Sequence, residues 1–431
     1  MRYRQALILL LAAAAFAADS ESDALLKRAT ARVVANFKSI NSYMCIETVQ
    51  RDYYRPRAAT LPRDCAVLMQ QRKQPTLDMQ LVHTVRDRLR LEVAVSSRGE
   101  IHAWPGASAF SDAGIDHIVR EGPIGTGAFG TLLSLIFMQD VRRFGFSGAT
   151  AHDGLRRFHY NFSVAAVDSH YRIRSIDGSA WFNAAYDGLL LVDAATAEPV
   201  QLSVVTKELP PAAGVCQTAT TLDFQRGSID GQEILLPAVA RQSFVNTDAI
   251  ETQNTITFSN CRQYSSESNI TFGPPDESAP AGKPAAKPIP ASIPASLVFA
   301  FELTSPIDSD TAAAGDRFTA RLTAPLHDGK TLVAPKGARI EGRISDVEIG
   351  FYPKEAVVLG LIPESIEMRG VKAPFAARLD IRRDIVTKEQ KKRKGLEFLL
   401  PRPGEYPHLM RFDGSHAILQ KGFISNWLTA K

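Results

Sequence analysis

The segment Leu89-Arg90-Leu91-Glu92-Val93-Ala94-Val95 places apolar side chains at every second position, and Phe158-His159-Tyr160-Asn161-Phe162 repeats the pattern with aromatic residues. Because successive side chains of a β-strand point to opposite faces of a sheet, this period of two predicts strands with one continuous apolar face. We expect that face to bind a ligand. The candidate ligand-binding residues are Leu89, Leu91, Val93, Phe158, Tyr160 and Phe162.

A helix and further strands surround these two segments. Leu25, Ala29, Val33 and Ile40 recur at helical spacing, and a strand-like run follows at 43–54. More strand-like runs lie at 189–192, 200–205, 220–224 and 255–258, a second helix is predicted at 131–138, and Asp-Gly pairs typical of turns occur at 177–178, 187–188 and 230–231. The pattern predicts an α+β domain dominated by a curved antiparallel sheet with packed helices.

A proline-rich stretch divides the chain. Seven prolines lie between Gly273 and Ala295, interleaved with Ala, Lys and Ser. Such a composition favours an extended, semi-rigid spacer. We therefore predict an N-terminal domain at 18–272, a linker at 273–295 and a C-terminal domain at 296–431.

The C-terminal domain is predicted to be small and all-β. The alternating runs at 318–322 and 340–344 read as strands, and Asp328-Gly329 is a hairpin signal between them. Polar Arg339, Glu341 and Arg343 alternate with the second run, which indicates one wet and one buried face. A barrel and a sandwich both fit this pattern.

Residues 1–17 are typical of a secretory signal peptide. Arg2 and Arg4 precede an apolar run at 6–16, and Ala15-Phe16-Ala17 has the small-x-small form of a cleavage site. The chain of 431 residues is 45% hydrophobic and 22% charged, with a formal charge of +4, so it is not of the disordered class. We expect export to the periplasm or secretion, with association with the outer membrane as an alternative.

Four cysteines, Cys45, Cys65, Cys216 and Cys261, are expected to form two disulfides, because export permits them. Three pairings are possible. We favour Cys45–Cys65 with Cys216–Cys261, since these pairs close the shortest loops. Zinc sites usually have two cysteines two to four residues apart, a spacing absent from this sequence, so we expect no metal.

The sequence Gly125-x-Gly127-x-x-Gly130 matches the dinucleotide fingerprint in its letters, but charged residues and Pro123 stand where a buried strand is required. We expect no nucleotide and no other cofactor. A flexible glycine loop before a packed helix is the alternative, and such a loop would also serve as a lid over a cavity.

Signals for catalysis are weak. His170 lies near Asp168, which is compatible with an acid–base pair or with a solvated surface. The nearest match to a serine elbow is Gly145-Phe146-Ser147-Gly148-Ala149, with alanine where the second glycine is needed. We expect no catalysis, and a hydrolase with an unrecognised site remains a third alternative.

A basic run contains Lys388, Lys391, Lys392, Arg393 and Lys394. It includes no aromatic residue to stack on a base, so no nucleic acid is expected. After export, its partners would be an anionic surface or an envelope protein. A solvated hairpin tip is the simpler interpretation.

Two parts of the chain resemble known families. The amphipathic helix, the strand Tyr43-Met44-Cys45-Ile46-Glu47-Thr48 and the hairpins ending at Thr257-Phe258-Ser259-Asn260-Cys261-Arg262 resemble in layout the periplasmic lipoprotein-carrier (LolA-like) family. That resemblance implies a half-barrel sheet wrapped around helices, with acyl chains held in an apolar cavity. It covers about 250 residues and carries over the fold, with no individual binding residue.

The second resemblance lies in the C-terminal domain. Residues 303–310, 314–318 and 333–342 are similar to the β-domain of TrbI-type type IV secretion core proteins. No segment suited to that family's outer-membrane pore is evident, so its channel function does not transfer.

These observations predict an exported envelope protein that binds an apolar or amphipathic ligand, a lipid or an acyl chain, without catalysis. The alternative is a structural envelope protein with no small ligand. A filled sheet interior would favour that alternative, and an apolar cavity would favour the carrier.

Overall fold

A computed structural model describes residues 2–40, 43–57, 64–73, 76–77, 80–96, 99–110, 114–119, 121–140, 144–152, 154–229, 231–263, 293–368, 370–380, 398–399 and 408–430; side chains are described from residue 20 onward, except at 152, 398 and 399. The chain forms two compact units, Met1–Arg86 with Arg90–Tyr264, and Asp87–Leu89 with Ser265–Lys431. Most of the linker predicted at 273–295 and the basic run at 388–394 lie outside the described residues, as do the side chains of the predicted signal peptide.

The first unit contains three α-helices and twelve strands among its described residues. The helices are α1 Arg2–Ile40, α2 Cys65–Lys73 and α3 Thr131–Ser134, and a π-helical turn at Leu135–Gln139 continues α3. The strands are β1 Tyr43–Pro56, β2 Leu81–Ser96, β3 Gly99–Ala103, β4 Gly145–His152, β5 Leu155–Val164, β6 Arg172–Arg174, β7 Trp181–Asn183, β8 Tyr186–Asp193, β9 Pro199–Thr206, β10 Val215–Ile229, β11 Gln232–Asn246 and β12 Glu251–Gln263.

Ten of these strands form one open antiparallel sheet in the order β3, β2, β1, β12, β11, β10, β9, β8, β5, β4. The remaining two, β6 and β7, form a separate hairpin. Strand β1 pairs with β12, so the first and last strands of the unit are neighbours in the middle of the sheet. The mainly-sheet, antiparallel character expected of this part of the chain is confirmed.

One side of the sheet, the inner face, packs against α1. Ile40 of α1 lies in one buried cluster with Val93 of β2, and the Tyr160 hydroxyl of β5 donates to the carbonyl of Ser22 at 2.7 Å. An apolar row crosses this face, each member opposite the next on the neighbouring strand: Val49, Ile256, Ala240, Leu222, Leu202, Leu190 and Tyr160. All seven are at most 1% exposed. Continuous burial of this kind is the main source of folding free energy.

Most of the predicted elements are present. The helix bearing Leu25 and Ala29 is confirmed, as are the strands predicted at 43–54, 89–95 and 158–162. The turn predicted at Asp187-Gly188 is wrong, because both residues lie inside β8. Gly188 is opposite Phe162, and a Cβ there would stand 2.1 Å from the Phe162 ring. The glycine makes room for an aromatic ring.

Both disulfides are present, but the favoured pairing is wrong. The bonds join Cys45 to Cys261 and Cys65 to Cys216, over 216 and 151 residues of sequence. The first bond links β1 to β12, which are adjacent strands far apart in sequence. The second links α2 to β10. Loop length is therefore a poor guide here, because the topology brings the two ends of the unit together.

In the described part of the second unit every regular element is a strand. These are β13 Val298–Leu303, β14 Ile307–Asp308, β15 Arg317–Leu322, β16 Leu326–Asp328, β17 Thr331–Ala334, β18 Arg339–Gly350, β19 Ala356–Met368, β20 Val371–Pro374, β21 Ala377–Leu379, β22 Phe398–Leu399, β23 Leu409–Asp413, β24 Ile418–Leu419 and β25 Ile424–Thr429. The predicted hairpin at Asp328-Gly329 joins β16 to β17. Trp427 is fully buried and stacks on Phe301 at a centroid distance of 5.1 Å.

Among the helices that the structure describes, none combines the length and the apolar character needed to span a bilayer.

Candidate functional site

Residues 121–140 form a cover segment over the inner face of the first unit. The segment contains the glycine loop, α3 and the π-helical turn. Phe129 packs beside Val93 of β2, and its ring centroid lies 5.3 Å from that of Phe258 on β12. Six apolar side chains of the segment are at most 5% exposed, whereas Met138 is 50% exposed: Ala128, Phe129, Leu132, Leu133, Ile136 and Phe137. The cover segment occupies part of the face on which a ligand was expected.

Four polar side chains lie beside the apolar row, two residues further along their strands. Thr220, Gln242, Asn254 and Arg51 stand opposite one another on β10, β11, β12 and β1, and we call them the polar row. Each is at most 4% exposed. Buried polar groups are costly unless they are hydrogen-bonded, so the partners of this row determine what lies against it.

The polar row holds the first residues of the cover segment. Arg51 Nη1 donates to the Glu121 carbonyl (2.7 Å), Asn254 Nδ2 donates to the Pro123 carbonyl (3.1 Å), and Gln242 Oε1 accepts the Gly125 amide N–H (3.2 Å). These bonds reach every second residue of the segment. The sheet therefore binds 121–125 as it would bind a short extended peptide.

Gly122 allows this close approach. Its φ of +77° favours glycine, and a Cβ there would stand 2.2 Å from Tyr53 Oη and 2.6 Å from Arg51 Nη1. A larger residue at 122 would have to displace the ends of the Tyr53 and Arg51 side chains, and with Arg51 its hydrogen bond to the segment, or to shift the segment itself.

A carboxylate fills the glycine loop. Glu100 of β3 accepts the amide N–H groups of four loop residues, at distances of 2.5–3.3 Å: Gly127, Phe129, Gly130 and Thr131. Successive N–H groups turned toward one point form an anion-binding nest. The glycine loop matches a nucleotide-binding motif in its letters, but the group that its amide N–H groups surround is a carboxyl side chain of the same protein.

Glu100 belongs to a buried ionisable cluster. His102 Nε2 lies 3.1 Å from Glu47 Oε2, and both side chains are at most 3% exposed. Burial raises the pKa of Glu100, although His102 opposes this effect. Burial alone would lower the pKa of His102, but the hydrogen bond and charge of Glu47, together with the charge of Glu100, raise it overall. Only part of residue Glu100 reaches the surface, and its carboxyl group is enclosed by protein atoms.

We expect the stability of the first unit to fall as the pH rises above about 6.5. The folded-state pKa values of Glu100 and His102 both lie above their ordinary values of 4.5 and 6.5. Each group therefore contributes stability that is complete below its ordinary pKa and is lost as the pH rises through the raised value. Thermal unfolding at increasing pH should register this loss, which begins near the ordinary pKa of each group, 4.5 for Glu100 and 6.5 for His102.

The matched variants for this pH dependence are His102→Gln and His117→Gln. His117 is exposed, so its replacement should leave the slope of stability against pH unchanged. His102→Gln should flatten the slope. An unchanged slope in His102→Gln would contradict the role assigned to this cluster.

A third attachment lies where the cover segment ends. Asp140 is 2% exposed and accepts hydrogen bonds from the Tyr186 hydroxyl and from the backbone N–H of His170 (3.0 Å). Its Oδ1 also lies 2.7 Å from His170 Nδ1. The sequence suggested Asp168 as the partner of His170, but the structure pairs His170 with Asp140.

Ser147 belongs to the stretch that came nearest to a serine-elbow motif. Its hydroxyl donates to the carbonyl of His159 on the neighbouring strand at 3.2 Å.

The predicted ligand-binding residues are all buried and fall into separate groups. Leu91 and Val93 lie on β2, while Leu89 belongs to the stretch that groups with the second unit. Tyr160 lies on β5, near the opposite side of the sheet, and burial raises its pKa to about 12. The aromatic residues of β5 pack against other rings. Phe158 and Tyr160 contact Phe146, and Phe162 contacts Phe144 and Tyr186.

An open groove of about 620 Å³ lies on the first unit, mainly on the outer face of the sheet. It crosses four strands and is lined by Gly145, Asn161, Phe162, Ser163, Asp187, Gly188, Leu189, Ser203 and Val205. Only Phe162 of the predicted ligand-binding residues lines it. A Lys207–Asp187 ion pair at 2.9 Å marks this region as polar.

A cluster in the second unit brings together Asp308, Asp310 and His416, with ligand-type atoms within 4.8 Å of one another. His416 Nε2 lies 2.9 Å from Asp308 Oδ1, which also accepts the Asp310 amide N–H at 2.8 Å. The Asp310 amide is the main cause that lowers the pKa of Asp308, and His416 adds to it. Internal hydrogen bonds account for this partly exposed arrangement.

Comparison with known proteins adds two similar structures. No family model and no curated protein matches this chain. A domain from Vibrio parahaemolyticus, named as an outer membrane lipoprotein-sorting protein domain, matches 56% of this chain and 93% of its own length, with 9% identity and a TM-score of 0.24. A DUF1329 family protein from Desulfovibrio piger ATCC 29098 matches 57% of this chain and 95% of its own length, with 9% identity and a TM-score of 0.25. Neither likeness assigns a function to this chain.

Proposed function

We propose that the first unit is a half-barrel that binds the acyl chain of a lipid or another apolar or amphipathic ligand on its inner face, without catalysis. The observation that carries this proposal is the cover segment. It lies over an apolar face and is attached by discrete polar bonds at its start, in its glycine loop and at its end. In the proposed cycle the segment leaves this face and the ligand takes its place.

The energies of such an exchange are close to balanced. Each large apolar side chain of the cover segment contributes about 1.5–3 kcal/mol by burial, so that Phe129, Leu132, Ile136 and Phe137 together contribute about 6–12 kcal/mol. A chain of about twelve methylene groups would recover about 10 kcal/mol at 0.8 kcal/mol for each group. The polar attachments then decide whether the closed or the ligand-bound form prevails.

We further propose that the protein works in the periplasm or outside the cell, in contact with the envelope. Two disulfides support an oxidising compartment, because such bonds are rare in the cytosol. An envelope partner for the second unit remains a prediction.

The test uses a loosened cover segment. Gly122→Ala should raise the affinity for a fluorescent C12 fatty acid roughly five- to tenfold, because the added Cβ crowds Tyr53 and Arg51 and weakens the closed form by about 1–1.5 kcal/mol. Fluorescence titration of the full chain measures the change.

The matched control is Gly154→Ala. Gly154 has nearly the same φ, +76°, but a Cβ there meets nothing within 4 Å, so this variant carries the backbone strain without the collision. It should bind like the unmodified protein. If neither the unmodified protein nor Gly122→Ala binds the probe, the ligand-binding proposal fails.

The second candidate function is a structural envelope protein without a small ligand. It is favoured by the complete burial of the apolar row, which is a packed interior in the closed form. Under that function Gly122→Ala would lower the stability of the first unit and create no binding of the probe. The same titration therefore separates the two functions.

A further inference from the structure

Resting on the proposed function of an envelope protein that handles lipid, we propose that the hairpin β6–β7 docks the first unit on the surface of a phospholipid bilayer. In the docked state Trp181 lies among the lipid head groups and the Arg172 guanidinium binds a head-group phosphate. This surface includes no residue of the cover segment, so docking requires no movement of that segment.

The hairpin has one buried face and one exposed face. Ile173 of β6 is 8% exposed and lies in a buried cluster with Val215 of β10. The residues on either side of it, Arg172 and Arg174, are exposed, and Trp181 stands opposite Arg174 on β7. Opposite residues of an antiparallel pair share a face of the sheet. The exposure of Trp181 therefore follows from the phase of its strand.

Two large apolar side chains of the hairpin face solvent. Trp181 is 54% exposed, and Ile176, in the turn between the two strands, is 58% exposed. Tryptophan is enriched at the boundary between a bilayer and water, because its indole ring combines an apolar body with a polar N–H. An exposed tryptophan on the same hairpin as a second exposed apolar side chain therefore fits the head-group layer of a bilayer.

Arg172 gives this surface a charge that complements phosphate. Its guanidinium carbon lies 5.0 Å from the centre of the Trp181 ring, and among the described residues no carboxylate pairs with it. Arg174 differs, because it forms an ion pair with Asp116 at 2.7 Å. Stacking uses the face of a guanidinium group, so the N–H donors at its edge can bind two phosphate oxygens.

The turn of the hairpin is held by an aspartate. Asp177 Oδ1 accepts hydrogen bonds from the Ser175 hydroxyl (2.6 Å) and from the backbone N–H and hydroxyl of Ser179 (3.0 and 2.8 Å). These bonds lower the pKa of Asp177 to about 2, so its carboxylate is ionised at neutral pH and offsets part of the charge of Arg172. We therefore expect weak docking, in which Trp181 and Ile176 supply most of the affinity.

The experiment follows the tryptophan fluorescence of the full, oxidised chain during titration with vesicles of phosphatidylethanolamine and phosphatidylglycerol. Part of the lipid carries bromine on its acyl chains, which quenches tryptophans that reach the bilayer. The chain has three tryptophans, of which Trp427 is fully buried and Trp104 is half-buried. We expect the vesicles to quench the emission, and Trp181→Phe should remove most of that quenching because the reporter is lost.

Sedimentation with vesicles measures how much each side chain contributes. Trp181→Ala should weaken binding about five- to tenfold, whereas Leu155→Ala, the control at a side chain that is 49% exposed on β5, should have little effect. Arg172→Gln should weaken binding about fivefold, and Arg241→Gln, which also removes one exposed positive charge, should leave it nearly unchanged.

Vesicles without phosphate test the role assigned to Arg172. Bilayers of digalactosyldiacylglycerol offer acyl chains beneath a neutral sugar head group. The unmodified protein should bind them about fivefold more weakly than it binds phospholipid vesicles. Arg172→Gln should bind both kinds of vesicle with similar affinity, since the guanidinium that binds the phosphate is gone.

The outcomes separate this inference from the proposed function. Absence of quenching in the unmodified protein overturns the docking surface, and quenching that persists in Trp181→Phe overturns it by placing the contact elsewhere. Equal binding of phospholipid and galactolipid vesicles overturns the phosphate contact of Arg172. The fatty-acid titration with Gly122→Ala reports on the inner face, so either proposal can fail while the other holds. The measurement on the unmodified protein needs no variant, so a misfolded variant would not rescue the inference.

Discussion

Non-reducing peptide mapping of the oxidised protein is expected to find Cys45 joined to Cys261 and Cys65 joined to Cys216, with no peptide that joins Cys45 to Cys65. Both bonds close long loops, and in the chain-entropy model each removes about 5 kcal/mol of unfolded-state freedom. Replacing both cysteines of one bond by alanine should therefore lower the free energy of unfolding of the first unit by up to about 5 kcal/mol. Denaturant unfolding measures that loss.

The stability loss in the double variant Cys45→Ala/Cys261→Ala is to be compared with that in Cys65→Ala/Cys216→Ala, which removes the other bond. The first pair removes the link between two central strands, and the second removes the link between α2 and β10. Mapping that recovers Cys216 joined to Cys261 would show that the sheet order around β1 and β12 is incorrect. Four free thiols in protein from the envelope would contradict the oxidised state.

Glu100→Ala is expected to lower the free energy of unfolding of the first unit by about 3–5 kcal/mol, because four backbone N–H groups lose a carboxylate acceptor. The loss should be local. Hydrogen exchange of the amides of Gly127, Phe129, Gly130 and Thr131 should accelerate first, since these donors then face no anion.

Glu208→Ala is the control for this prediction. Glu208 is an exposed glutamate of the same unit, and its replacement should change the stability by less than about 0.5 kcal/mol. Glu100→Gln keeps one acceptor oxygen, so its loss of stability should lie between those of Glu100→Ala and Glu208→Ala. Unchanged amide protection in Glu100→Ala would contradict the role of Glu100 as the hydrogen-bond acceptor of the glycine loop.

Local periodicity accounts for the elements that could be predicted from the sequence. Leu25, Ala29 and Val33 repeat at the helical period, and Phe158, Tyr160 and Phe162 repeat at the strand period, so each pattern depends only on neighbours along the chain. The hairpin at Asp328-Gly329 was equally local. The turn predicted at Asp187-Gly188 failed because Gly188 serves the Phe162 ring of another strand.

Some polar side chains of the candidate site stand at strand positions that the period of two assigns to the apolar face. Glu47 and Arg51 stand at inner-face positions of β1, in phase with Val49, and Asn254 is in phase with Ile256 on β12. A charged or amide residue at a position that the pattern assigns to the core indicates a buried partner. The partners of Arg51 and Asn254 in 121–125 are about 70 to 130 residues away along the chain, and the partner of Glu47 is His102 on another strand, so all of them lie beyond the reach of a local pattern.

The sequence by itself determined the helical and strand periods and the number of cysteines available for disulfides, while the domain division at 273–295 stays a prediction. These properties follow from side-chain order and composition. Only the tertiary structure decided which cysteines are partners, that Glu100 fills the glycine loop, and that a cover segment lies across the inner face. The physical reason is that strand order sets these contacts. Pairing of β1 with β12 brings together residues more than 200 positions apart, and no short stretch of sequence encodes that pairing.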